Sequence, residues 1–171
     1  MESGKRYLEQ EGLKQIYEDG SYIQHSTNYH RLMLQVYAWC WQLAHINDIT
    51  FSDALGFRLK KAISFLYQLQ DDYTGRVPNY GANDGALIFP LSSCDYLDYR
   101  PQLNTINYII NGAKLYGPDK HEEELMWFCG LNAVEKGSSA CEQRKSMKFD
   151  QGGYYTIRCI LRSEKTTVTE K

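Results

Sequence analysis

At 171 residues, with 19 Lys and Arg against 21 Asp and Glu and a formal net charge of −2, the chain has the length of one ordinary domain with a single core. Its basic residues are dispersed rather than bunched, so it lacks the electrostatic footprint of a nucleic-acid binder. No apolar run reaches the roughly 20 residues of a membrane-spanning helix, and the opening MESGKRYLEQEG is too polar to hold the apolar core of a signal peptide.

Cys40, Cys94, Cys129, Cys141 and Cys159 form no CxxC pair, which argues against a zinc site or a disulfide framework and for thiols in a reducing compartment. No motif calls for a metal or a cofactor, and none addresses the chain to a particular compartment. Aromatic content is the unusual quantity, at 13% of residues including 14 Tyr. A Tyr ring carries an apolar body and a polar tip, which suits partly wet faces such as sugar-binding clefts. Any single Tyr is still more often a core filler or a loop anchor.

Residues 5–18 put Leu8, Leu13 and Ile16 near one stripe interrupted by Gly12, the pattern of a short, weak helix. Asp19-Gly20-Ser21 reads as a turn, and Ser26 or Thr27 is placed to cap a long helix running to about His45. Asn28, Tyr29 and His30 fall just inside its first turn. His30, Leu34, Tyr37, Trp41 and Ala44 line one side, while Leu32, Val36, Trp39 and Leu43 make the other apolar too, so the helix is expected to be buried on both sides. Ser52 or Asp53 caps the next helix, whose Leu55, Leu59, Ala62, Leu66 and Leu69 form a clean seam. Residues 71–85 carry three Gly and one Pro without periodicity, and a loop of that length is usually functional. Ala86 to Leu91 reads as a short buried run.

Pro101 opens a third helix with Leu103, Ile106, Ile109 or Ile110, and Ala113 on its buried side, stopped by Gly117-Pro118. Asp119 caps a fourth helix with Glu122, Glu123 and Glu124 in its first turn, where they favour the helix dipole on a solvated face. His45 and His121 read as surface residues. Residues 135–149 are polar, small and aperiodic, a linker. From Tyr154 to Leu161 the period changes to two, the signature of a strand. That strand has no partner elsewhere in this reading, which makes its edges a template for a second chain or for self-association.

Three strings, DGSYIQHSTNYHRLMLQVYAW, PNYGANDGALIFPLS with the following DYLDYRPQL, and GGYYTIR, together resemble in order and kind the heparinase II/III-like polysaccharide lyases, over roughly residues 18–158. The resemblance implies a mainly α fold: a partial (α/α) toroid of antiparallel helical hairpins over 1–134, a linker over 135–152, and the start of a β-sandwich domain over 153–171. It implies a fragment of a lyase that cleaves uronate-containing acidic polysaccharide by β-elimination. Such chemistry needs relief of the carboxylate charge, a base for the adjacent proton and an acid for the departing oxygen. By resemblance Asn28 neutralises the carboxylate, His30 is base or second neutraliser, and Tyr80 is acid and base; Tyr29, Arg76, Asn79, Asn83, Asp84 and Arg100 are substrate-binding candidates. His25 is a weaker candidate. The family adds a further His beyond the strand, whereas no His follows His121 here, so the chain resembles the helical half of a site. The alternative reading is a non-catalytic module that binds acidic glycan, or a helical interaction module without a sugar site.

Overall fold

The computed structural model describes residues 2–137 and 144–158, and its order of elements follows from a few local signals. Six α-helices occur among the described residues: α1 (Glu2–Gln15), α2 (Thr27–Ile46), α3 (Asp53–Leu69), α4 (Arg100–Asn111), α5 (Glu123–Cys129) and α6 (Leu131–Lys136). They are followed by a hairpin of β1 (Met147–Phe149) and β2 (Tyr154–Thr156). Ser26 caps α2 by accepting from the Tyr29 N–H, and Ser52 caps α3 by accepting from Leu55. Pro101 stands in the first turn of α4, which Gly112 ends in the left-handed conformation, earlier than Gly117-Pro118.

α4 packs against α2, α3 and α5, while α1 closes over α3. Between them lies a core of fully buried Ile16, Leu34, Leu55, Leu59, Ala62, Leu66, Leu103 and Ile106; Leu69, at the end of the α3 seam, is only half-buried. Gly12 does not break α1. Its missing side chain permits close approach, since a Cβ there would sit 2.5 Å from Leu55 Cδ1 and 2.6 Å from the Tyr37 hydroxyl.

Several expectations are corrected by the tertiary packing. α2 is not buried all round: Trp39 and Leu43 are exposed, and the helices packed against it are chiefly α4 and α3. Residues 86–91 are half-buried to exposed; they are held by Gln35, which accepts from the Ile88 N–H at 3.0 Å and donates to the Phe89 carbonyl at 3.4 Å. The fourth helix is broken into a 3-10 turn (Lys120–Glu122), α5 and α6, with Gly130 at the break. Its acidic run is not a solvated face. Glu122 pairs at 2.7 Å with Lys114, both buried, and buried Glu124 accepts from Gln102 at 2.7 Å. His121 is likewise buried, with Nε2 2.9 Å from the Gly117 carbonyl.

The strand after Gly153 is not alone. Met147–Phe149, within the segment read as linker, pairs with it antiparallel in the register Met147↔Thr156, Lys148↔Tyr155 and Phe149↔Tyr154. The hairpin is tied to the helices at both ends. At its turn, Asp19 accepts from the Gln151 and Gly152 N–H groups at 2.7 and 3.0 Å. At its base, Arg144 and Arg158 donate to carbonyls of Tyr67, Gln68 and Gln70, where the C-terminal end of α3 favours cations. Phe149 fills the space between, edge-on to Phe65 with ring centres 4.8 Å apart. The expected strand residues Cys159 to Leu161, and the rest of the segment to Lys171, lie outside the described residues, as do linker positions 138–143. Of the thiols, Cys40, Cys94 and Cys129 are free.

Candidate functional site

The start of α2 is a docking point for the loop 78–84. The Thr27 N–H donates to the Tyr80 carbonyl at 3.0 Å and its hydroxyl to the Pro78 carbonyl at 2.9 Å, while the Ser26 cap hydroxyl donates to the Ala82 carbonyl at 2.6 Å. Gly81 makes this seating possible: its φ is +77°, and a Cβ there would run into the His25 carbonyl and Ser26. Residues far apart in sequence are thereby brought side by side.

Around this seat the polar groups form one network. Tyr29 donates to Asp84 at 2.8 Å; this bond raises the phenol and, with the Ala86 N–H, lowers the carboxylate. The Asn83 amide donates to Asn79 at 2.9 Å. The Tyr96 hydroxyl lies 2.7 Å from Asn28 Oδ1 and 2.8 Å from Asn83 Oδ1, so its single proton serves one of two amide oxygens. Arg31 backs the cluster. Only 1% exposed, it donates to Asn28 Oδ1 at 3.0 Å and to the Tyr96 carbonyl at 2.5 Å, and is sandwiched between the rings of Tyr96 and Tyr99 at 4.3 and 4.2 Å. Among the described residues no carboxylate stands within ion-pair distance of it. Buried Glu124, which feels the Arg31 charge, is pushed up to about 7 by desolvation. Near neutrality it therefore gives Arg31 only part of a counter-charge.

Of the three expected catalytic residues, Tyr80 alone reaches solvent, with 53% of its surface exposed. Asn28 is fully buried, so a ligand meets it only through Tyr96. His30 is not in the groove. It is 1% exposed, its Nε2 lies 2.9 Å from the Ala62 carbonyl, and its ring stacks on Phe65 at 5.1 Å. Burial lowers its pKa to about 4, against the opposing effect of the Ala62 bond. The reason is helical geometry: two residues after Asn28 the side chain is turned toward α3, away from the loop.

The imidazole that does share the surface with Tyr80 is His25. It stacks on Tyr154 at 6.1 Å, and Tyr80 meets the same ring edge-on at 5.6 Å. His25 also has a φ of +49°, an uncommon conformation in which His is enriched. Of the substrate-binding candidates, Tyr29, Asn79, Asn83 and Asp84 belong to the network, Asp84 as an anchor whose charge is held by Tyr29 and Ala86. Arg76 stands apart, 4.0 Å from Asp95. Arg100 is occupied by a two-pronged bond to Asp98 at 2.9 and 2.7 Å. Sequence reasoning missed Arg31, Tyr96 and Tyr154. The i, i+3 spacing of Asn28 and Arg31 is a usable signal; Tyr96 and Tyr154 have none, being placed by loop and hairpin docking.

No protein-family model, no curated protein and no solved structure matches this chain. Among the described residues no helix is long and apolar enough to cross a membrane, and no group of His, Cys, Asp or Glu side chains is arranged to hold a metal ion.

Proposed function

We propose that this chain carries the helical part of a lyase site for uronate-containing acidic polysaccharide, and that its helical hairpins belong to an (α/α) toroid of the heparinase II/III-like kind, with the hairpin β1–β2 opening a β-sandwich domain. One observation carries the reading. A buried guanidinium, Arg31, with no carboxylate in ion-pair distance among the described residues, donates to Asn28 and stacks on Tyr96, whose hydroxyl also reaches Asn83. Fixed positive charge behind the Tyr96 hydroxyl and the exposed Asn83 amide favours a carboxylate at that spot, because the low dielectric around the guanidinium screens it little. Neutralising a uronate there makes its ring proton acidic. His25 takes that proton, the bond to the leaving glycosidic oxygen breaks as the ring double bond forms, and Tyr80 protonates the departing oxygen. His30 has no part in this chemistry; neutral and buried, it packs α2 against α3.

The experiment offers alginate, heparan sulfate and polygalacturonate to the wild type and to Tyr80→Phe, following the ultraviolet absorbance of the unsaturated uronate. Product from the wild type, lost in Tyr80→Phe with unchanged polymer binding, is the expected result. Binding without product selects a non-catalytic glycan-binding module. Neither binding nor product refutes the reading. It would turn attention to the exposed Trp39, Ile46, Trp127 and Leu131, apolar surface that favours the alternative of a helical interaction module.

A further inference from the structure

Beside the Tyr80 surface runs a second cleft, between the loop residues 76–78 and the hairpin limb 155–158. Its volume is about 460 Å³, and its walls include Gln68, Gln70, Arg76, Tyr155, Thr156 and Arg158. The charges in it differ in availability. Arg158 is occupied by the Gln68 and Gln70 carbonyls at 2.6 and 2.8 Å, with Asp72 3.7 Å away. Asp71, the acid of the lining, accepts from the Thr74 N–H and hydroxyl at 2.8 and 2.7 Å. Arg76 is different: its side chain is 57% exposed, it makes no side-chain hydrogen bond among the described residues, and its nearest carboxylate, Asp95, is 4.0 Å away. Its donors are free for a planar anion, the geometry a guanidinium matches best.

We infer that this cleft is a second anionic-sugar subsite, which takes another uronate of the same polymer through Arg76. The inference rests on the reading of the Tyr80 surface as a uronate site and extends it along the chain of the ligand. The two places share one segment of chain, for Arg76 to Pro78 line the cleft and Tyr80 follows two residues later. Arg76 and Tyr80 are four residues apart in an irregular segment, a separation of at most about 14 Å, within the span of a short oligosaccharide. Tyr155, 69% exposed, lines the cleft and follows in sequence the Tyr154 that packs on Tyr80. Its ring offers an apolar face to the C–H side of a pyranose. A ligand that fills both subsites gains the second contact at high effective concentration.

Calorimetric titration of the full chain with a galacturonate disaccharide and hexasaccharide tests this, using the wild type, Arg76→Gln and Arg76→Lys. The hexasaccharide is expected to bind the wild type roughly tenfold tighter than the disaccharide, the scale of one charge-assisted contact. Arg76→Gln should abolish that gain and leave the disaccharide unaffected, and Arg76→Lys should keep part of it. A gain that survives in Arg76→Gln, or an equal gain with a neutral dextran hexasaccharide, overturns the anionic subsite while the Tyr80 reading stands. Failure of the wild type to bind either length, repeated with alginate and heparan oligosaccharides, overturns the Tyr80 reading, and this inference with it.

Discussion

Glu124→Gln isolates one group that the fold holds in the wrong ionisation state for water. The carboxyl is 2% exposed and accepts from Gln102. Desolvation raises it from an ordinary 4.5 to about 7, opposed by that hydrogen bond and by the Arg31 charge. Between those two values the native protein retains a proton that the unfolded chain has released. Native stability contributed by this group is therefore full below pH 4.5, falls as pH rises, and is lost above about 7. The gap corresponds to about 3 kcal/mol. Urea unfolding followed by circular dichroism from pH 4 to 8 should show the stability of Glu124→Gln minus wild type rising with pH by up to that amount, because the amide has nothing to ionise. Parallel curves for the two proteins would refute the reasoning, and would mean that Glu124 is ionised in the fold with Arg31 as its effective counter-ion.

The other two outcomes concern packing and the buried imidazole. Leu59, fully buried in the α3 seam, should lose about 2–5 kcal/mol on replacement by Ala; a loss under about 0.5 kcal/mol in the same unfolding assay would put the seam outside the core. The ring of His30 should titrate by NMR near 4 rather than 6.5. With its folded value depressed, the unfolded chain takes up a proton first, so its contribution to stability declines as pH falls from 6.5 to about 4, by roughly 3 kcal/mol. A midpoint near 6.5 would show that the ring reaches solvent.

The elements legible in the sequence are those whose signals are local. Ser26, Ser52 and Pro101 mark helix starts because free N–H groups need a cap, or tolerate a residue without one, within the first turn. The seam of Leu55, Leu59 and Leu66 is visible because one helical face repeats at a fixed spacing. That the Tyr80 loop meets Asn28 has no local signal; only the resemblance of the two strings to the lyases, which puts both residues in one site, implies it. What the tertiary structure decided is which neighbour each polar side chain meets. Glu122 and Glu124 sit in a first turn that reads as solvated, yet Lys114 and Gln102 arrive from other segments to pair them inside. Phe149 belongs to a polar, aperiodic stretch, and becomes a strand residue only because Asp19 holds the following turn and Phe65 receives its ring. His25 and His30 are indistinguishable as isolated imidazoles. The direction of α2's first turn sends His30 into the apolar space against α3, while the left-handed backbone at His25 leaves its ring on Tyr154 beside Tyr80. A sequence pattern specifies the face of its own helix; the charge, ring or carbonyl opposite that face comes from elsewhere in the chain.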